Sequence, residues 1–341
     1  MPKAGSRVTY PACLPAIIPL VVLSPEYAAL LAGLVALLVC LIMTPVIMRF
    51  ATRRGVMDLP DDRKSHPTPV PTLGGTAVFS GVIAAVFVCF PFLPDKLRPD
   101  EIYAIMGISL GAALSFIIGL FDDLFGLKPS RKFIFQVCVA AGGILFGIKI
   151  GFLTGWGSDY IYLSAPLTVL LTILWVTALM NAVNLIDGLD GLASGITAIA
   201  AAAFLALGLL KGQTAAALLS AAVLGASLGF IPFNAHPARI FLGDSGSLLL
   251  GYLLATISIL GPFKTTTALT VVLPILILGL PLFDTSWAIL RRTVAGRKVY
   301  EADNDHVHHQ LVRRGLGHKG TVLTLYGVAG VLAIIAVALA I

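Results

Sequence analysis

Residues 181–210 read NAVNLIDGLDGLASGITAIAAAAFLALGLL. The last nineteen, from Leu192, carry no charge and are long enough to cross a bilayer as a helix. The first eleven hold Asn181, Asn184, Asp187 and Asp190, two amides and two carboxylates at spacings of three. If the segment is helical, Asn181, Asn184 and Asp187 stack on one face, while Val183, Leu185, Ile186 and Leu189 face elsewhere. An apolar run that abuts a polar stripe sets two expectations. The chain is built of membrane-spanning helices, and its chemistry sits at their ends.

The rest of the 341 residues agrees. The chain is 58% hydrophobic and only 12% charged, with mean hydropathy +0.96, whereas a soluble domain is about a quarter charged. Apolar runs fall near 27–48, 76–93, 102–121, 133–150, 165–180, 192–210, 214–230, 247–261, 267–288 and 321–341. The fold class expected is an all-α polytopic membrane protein of about ten transmembrane helices. Residues 1–26 read as an N-terminal interfacial segment, because Pro15 and Pro19 break a short apolar stretch. Residues 27–341 read as one integral membrane domain. Cys13, Cys40, Cys89 and Cys138 show neither metal-ligand nor disulfide spacing and read as packing residues.

Most of the 23 basic residues fall in one set of loops, which the positive-inside rule assigns to the cytoplasm. This predicts a plasma (inner) membrane protein with both termini outside. The net charge of +6 requires no nucleic acid, since basic inner loops beside anionic lipid account for it. All six histidines and most of the 17 acids fall in the same loops. A coupled transporter tends to keep its carboxylates near the bilayer midplane. Ionisable groups gathered at one surface instead point to a reaction at the cytoplasmic face.

The inner loops supply the groups. Asp122 and Asp123 end an apolar run, a costly place for paired carboxylates unless they are solvated or meet a cation. Lys128, Arg131 and Lys132 nearby suit phosphate or lipid headgroups equally well. The 181–190 stripe can read a nucleobase, hold a ribose or help bind a metal, and its plain alternative is a helix–helix contact. In GDSGS, 243–247, Asp244 sits at a helix start and suits an N-cap, a metal ligand or both. His306, His308 and His309 cluster in the last loop. The acid-rich set favours a hard oxygen-ligated cation such as Mg2+, with the histidines donating to phosphate. Together these suit phosphoryl or phosphosugar transfer at a membrane surface.

Four motifs in order, DDLFGLKP (122–129), NAVNLIDGLDGLASG (181–195), FNAHPARIFLGDSGS (233–247) and DHVHHQL (305–311), carry a resemblance. Over about residues 45–320 the chain resembles the polyprenyl-phosphate N-acetylhexosamine-1-phosphate transferases, relatives of phospho-MurNAc-pentapeptide translocase. The resemblance implies transfer of a sugar-1-phosphate from a UDP-N-acetylhexosamine, UDP-GlcNAc first, to polyprenyl phosphate, with UMP released. It implies Mg2+, with Mn2+ as the alternative. Asp122, Asp123, Asp187, His308 and His309 are the catalytic residues it implies. Asp244, Asp122 and Asp123 would hold the metal. Lys64, His66, Asn181, Asn184, Asp190, Asn234, Phe241, His306 and Gln310 would bind substrate. A homodimer is compatible with the resemblance. Gln310 stands where the family's tract usually has Arg. Pro274 and Pro281 predict a bent ninth helix whose opening leads the polyprenyl tail to the acids. The rival readings are a transporter or flippase of an anionic lipid or nucleotide, and a non-catalytic scaffold.

Overall fold

The computed structural model describes residues 23–59, 68–92, 97–154, 160–260, 269–294 and 306–341. Lys64, His66 and the interfacial segment before residue 23 lie outside the described residues.

Twelve helices are described: α1 (Pro25–Arg54), α2 (Gly74–Cys89), α3 (Pro99–Phe125), α4 (Pro129–Leu145), α5 (Ala165–Ile186), α6 (Leu192–Leu210), α7 (Thr214–Asn234), α8 (Gly243–Leu260), α9 (Leu269–Ile277), α10 (Gly279–Val294), α11 (Val307–Leu311) and α12 (Gly317–Ala340). Prolines stand in the first turns of α1, α3, α4 and α5, where a missing N–H costs nothing. Two short antiparallel pairs, β1 (Met57–Asp58) with β2 (Val70–Pro71) and β3 (Phe152–Thr154) with β4 (Tyr160–Tyr162), sit between helices.

Eight of the helical segments are long and apolar enough to cross a membrane, the architecture of a polytopic helical membrane protein. Two of the ten expected runs differ. The fourth forms α4, a helix of 17 residues. The ninth is interrupted at Leu278, between α9 and α10, with Pro274 inside α9 and Pro281 in the first turn of α10. The interruption agrees with a proline-broken span. An apolar cavity of about 510 Å³ opens beside it, lined by Ile275, Leu280 and Phe283 and, across from them, Val328 and Leu332 of α12.

The core joins α1 to α7 and α2, and α8 to α3 and α5. The α3–α8 packing decides the site. A side chain at Gly119 would overlap the backbone of Asp244 and Ser245, so only glycine lets the end of α3 touch the start of α8.

Candidate active site

The end of α3, the start of α4, the end of α5 and the start of α8 converge. Asp122 accepts the Leu127 N–H at 2.7 Å through Oδ1, and its Oδ2 lies 2.8 Å from Nζ of Lys132 in the first turn of α4. The same Nζ lies 3.0 Å from Oδ2 of Asp244 and donates to Oδ1 of Asn184 at 3.2 Å. Asn184 Nδ2 donates to Asp244 Oδ1 and, at 2.9 Å, to the Ser247 hydroxyl. One ammonium on α4 thus bridges two carboxylates and an amide drawn from three other helices.

Asp123 has a different task. Its two oxygens accept the N–H groups of Asp244 and Ser245 at 2.7 and 3.0 Å. Free N–H groups at a helix start favour an anion, so Asp123 caps α8 and holds Asp244 in place. Asp123, which the resemblance implies as a metal ligand, makes these two bonds to the start of α8.

Asp187 follows the last residue of α5. Burial first, then the carboxylates of Asp244, Asp123 and Asp190, push its carboxyl well above the usual carboxylate range. Lys132 pairs with Asp122 and Asp244, two of the four carboxylates gathered here. The oxygen donors of Asp122 and Asp244, with Asp187 near enough to feel the charge of Asp244, are of the type Mg2+ takes; among the described residues the trio whose ligand atoms lie within 4.8 Å of one another is Asp190, His236 and His318.

The other residues singled out in the sequence have these surroundings. Asn234 is 2% exposed, with Oδ1 accepting the Gly191 N–H and the Ser194 hydroxyl and Nδ2 donating to the Ile240 carbonyl. A buried amide must satisfy its polar atoms, and Asn234 does so by tying the start of α6 to the end of α7 and the segment before α8. Asn181 donates to Gln136 Oε1 at 2.6 Å and to the Thr177 carbonyl at 2.8 Å. It makes the helix–helix contact, because six residues of helix place it about 9 Å along the axis from Asp187. Asp190 is also engaged: its Oδ2 lies 2.7 Å from Nδ1 of His236 and accepts the Ala238 N–H at 3.1 Å, with His318 at 4.0 Å. The rings of His236 and His318 stack at 4.0 Å, and Tyr326 donates to the Gly191 carbonyl. Asp190 therefore ties the α5–α6 turn to the loop before α8 and to α12. Phe241 is half-buried, and its carbonyl accepts the Gly74 N–H at the start of α2.

The last loop does reach the site. His308 is 1% exposed and neither ring nitrogen has a hydrogen-bond partner among the described residues. Buried polar groups are rarely left so, and an orphan points to a missing partner. Its ring packs against Gly188 and stands 4.2 Å from that of His309. His309 and Gln310 are half-buried beside it. A Cβ at Gly188 would overlap His308 Nε2. Gly188→Ala is accordingly expected to displace His308 and cost about tenfold in kcat/KM, within the range for a misplaced group. The same change in a His308→Ala background should cost nothing further, which steady-state kinetics on the four proteins would check.

Lys132, His236, His318 and Asp284 escaped the motif reading. Lys132 had a signal, one turn beyond Lys128 on an amphipathic helix start, but nothing local separates a site lysine from one facing lipid headgroups.

Comparison with known proteins agrees with this arrangement. Residues 105–262 match the model of glycosyl transferase family 4. The chain is similar to the probable undecaprenyl-phosphate N-acetylglucosaminyl 1-phosphate transferase of Bacillus subtilis, 37% identical over 90% of this chain and 84% of that protein. It is similar to the decaprenyl-phosphate N-acetylglucosaminephosphotransferase of Mycobacterium tuberculosis, 34% identical over 89% of this chain and 80% of that one. The phospho-N-acetylmuramoyl-pentapeptide-transferase of Geobacillus kaustophilus is 31% identical over 89% of this chain and 95% of its own length. With the four motifs brought to one end of the bundle and relatives aligned along most of its length, the chain belongs to glycosyl transferase family 4, among the polyprenyl-phosphate N-acetylhexosamine-1-phosphate transferases.

Proposed function

We propose that the chain transfers a sugar-1-phosphate from a UDP-N-acetylhexosamine, UDP-GlcNAc first, to polyprenyl phosphate, giving polyprenyl-diphospho-sugar and UMP. The observation that carries this reading is the Lys132-centred cluster of Asp122, Asn184 and Asp244, with Asp187 and the orphaned His308 beside it. The relatives' names supply the substrates, and the basic loops supply the orientation: about ten spans in the plasma membrane with the site cytoplasmic.

The lipid phosphate needs little activation. A phosphate monoester has a second pKa near 6 and is largely a dianion at neutral pH. One of its oxygens attacks the β-phosphorus of the donor. The bond from that phosphorus to the bridging oxygen breaks, and UMP leaves with the oxygen. Asp122 is already engaged by Lys132 and the Leu127 amide, so its task is to hold the lysine rather than to take a proton. Asp122, Asp187 and Asp244 would hold Mg2+, which neutralises diphosphate charge when bound. His308 and His309 offer donors to the diphosphate oxygens. The cavity beside the α9–α10 interruption suits the polyprenyl tail, its walls being aliphatic and aromatic.

The test is UMP release from UDP-GlcNAc by purified protein with polyprenyl phosphate and Mg2+. Release that needs both substrates supports the reading, whereas passage of lipid or nucleotide across vesicles without UMP would favour the transporter.

Sugar choice is expected to lie in the last loop. Gln310 offers a donor and an acceptor without charge, where arginine would offer a fixed cationic fork. Gln310→Arg should change the ratio of kcat/KM for UDP-GlcNAc and UDP-GalNAc. His308→Ala and His309→Ala should lower both equally, because the diphosphate is common to the two donors. Equal effects of Gln310→Arg on both donors would show that this position does not read the sugar.

A further inference from the structure

Asp284 lies on α10, outside all four motifs, and is 4% exposed. Its Oδ1 accepts the Val307 N–H at 2.8 Å. Its Oδ2 lies 2.9 Å from Nδ1 of His306, which is 5% exposed. A carboxylate this deep is costly unless paired and hydrogen-bonded, and here both oxygens are engaged across a 22-residue separation. His306 is the N-cap of α11 but makes no side-chain cap. Asp284 supplies the missing acceptor from another helix.

What this pair holds is the ring of His308. The His306 and His308 rings lie within 6° of parallel, 5.8 Å apart. Beyond them, the His308 edge reaches Gly188 at the end of the aspartate stripe, with both nitrogens unpartnered among the described residues. α11 begins a helical segment that continues through a π-helical turn, Val312–Leu316, toward α12, with a kink at Gly315. Asp284 anchors it to the bundle at its first N–H.

We propose that Asp284 is a positioning residue for the transfer: by accepting from His306 Nδ1 and the Val307 amide, it sets the imidazole of His308 where the donor diphosphate meets the Gly188 turn. This rests on the transferase reading above. The carboxylate also selects a tautomer. With Nδ1–H committed to Asp284, the neutral ring keeps Nε2 as an acceptor. The same helix lines the apolar cavity with Gly279, Leu280 and Phe283, all within five residues of Asp284. The residue that places the histidines therefore sits on the helix that also lines the apolar cavity.

The test is steady-state kinetics on Asp284→Asn, His306→Gln and each of them combined with His308→Ala, in detergent-purified full chain with UDP-GlcNAc, undecaprenyl phosphate and Mg2+. Asparagine keeps an acceptor for Val307 but turns an NH2 toward His306 Nδ1, reversing its tautomer. The expected result is a fall of about ten- to a hundredfold in kcat, as for loss of a carboxylate that orients a functional histidine. Donor KM should stay within about threefold, as for a group acting in the transition state. His306→Gln should show the same split, and neither change should lower the rate further once His308 is alanine. A purely structural role would instead lower the fraction of folded, active enzyme and multiply with His308→Ala. That multiplication, or wild-type kcat in Asp284→Asn, overturns the proposal. If Asp284→Asn does not fold, wild-type kcat in His306→Gln overturns it alone. Absence of UMP release by the wild-type protein would overturn the transferase reading itself and this inference with it.

Discussion

Asp244→Asn is expected to lower UMP release at least about a hundredfold, the usual cost of deleting one preorganised electrostatic group. The substitution is nearly isosteric. The backbone N–H of residue 244 still meets Asp123, so the start of α8 stays capped and the fold should survive. What disappears is the anionic oxygen 3.0 Å from Lys132 and the acceptor used by Asn184. An amide NH2 in that place repels both donors and is a poor ligand for a hard divalent cation. The measurement is UMP release across a Mg2+ titration, with thermal stability as the control. Near wild-type activity at limiting Mg2+ would show that Asp244 holds no metal.

Lys132→Met should abolish turnover and also destabilise the protein by about 3 kcal/mol, toward the low end for breaking a buried ion pair because the site opens to water. The lysine side chain is 14% exposed and that of Asp122 10%. Methionine matches the length of the stem but leaves Asp122 and Asp244 facing each other uncompensated. A divalent cation can replace the lost charge but not the geometry. Mg2+ should therefore raise the thermal stability of Lys132→Met more than that of the wild type, without restoring UMP release. Thermal unfolding in detergent with and without Mg2+ would check this. A variant as stable as wild type in the absence of Mg2+ would mean that the carboxylates are not held by this lysine.

Much of the site was legible because its residues cluster in short motifs. Asn184, Asp187 and Asp244 stand where a stripe at i, i+3 and a helix start put them. The partners of Asn234 and Asn181 were not legible for one reason: an amide beside a motif looks the same whatever it bonds. The capping bonds of Asp123 were not legible because a helix cap supplied across 121 residues has no local signature. Asp284 was invisible, a single acid in a proline-containing apolar run whose partner His306 lies 22 residues further along the chain. His308 was singled out in the sequence, but only its packing against Gly188 shows why that glycine cannot carry a side chain.

The sequence by itself determined that this chain forms membrane helices with polar ends. Uncharged runs of bilayer length have no other stable solution, since each backbone group in lipid must be satisfied within its own helix. That requirement is local, so composition and spacing suffice. Which polar ends meet is not local. Lys132 joins Asp122, Asn184 and Asp244 through partners up to 112 residues away, and only the glycine-permitted contact of α3 with α8 brings them within hydrogen-bond distance. The tertiary structure alone decided which carboxylates share a charge, which cap a helix and which remain without a partner. Those distinctions depend on distances of a few ångströms between segments far apart in the chain.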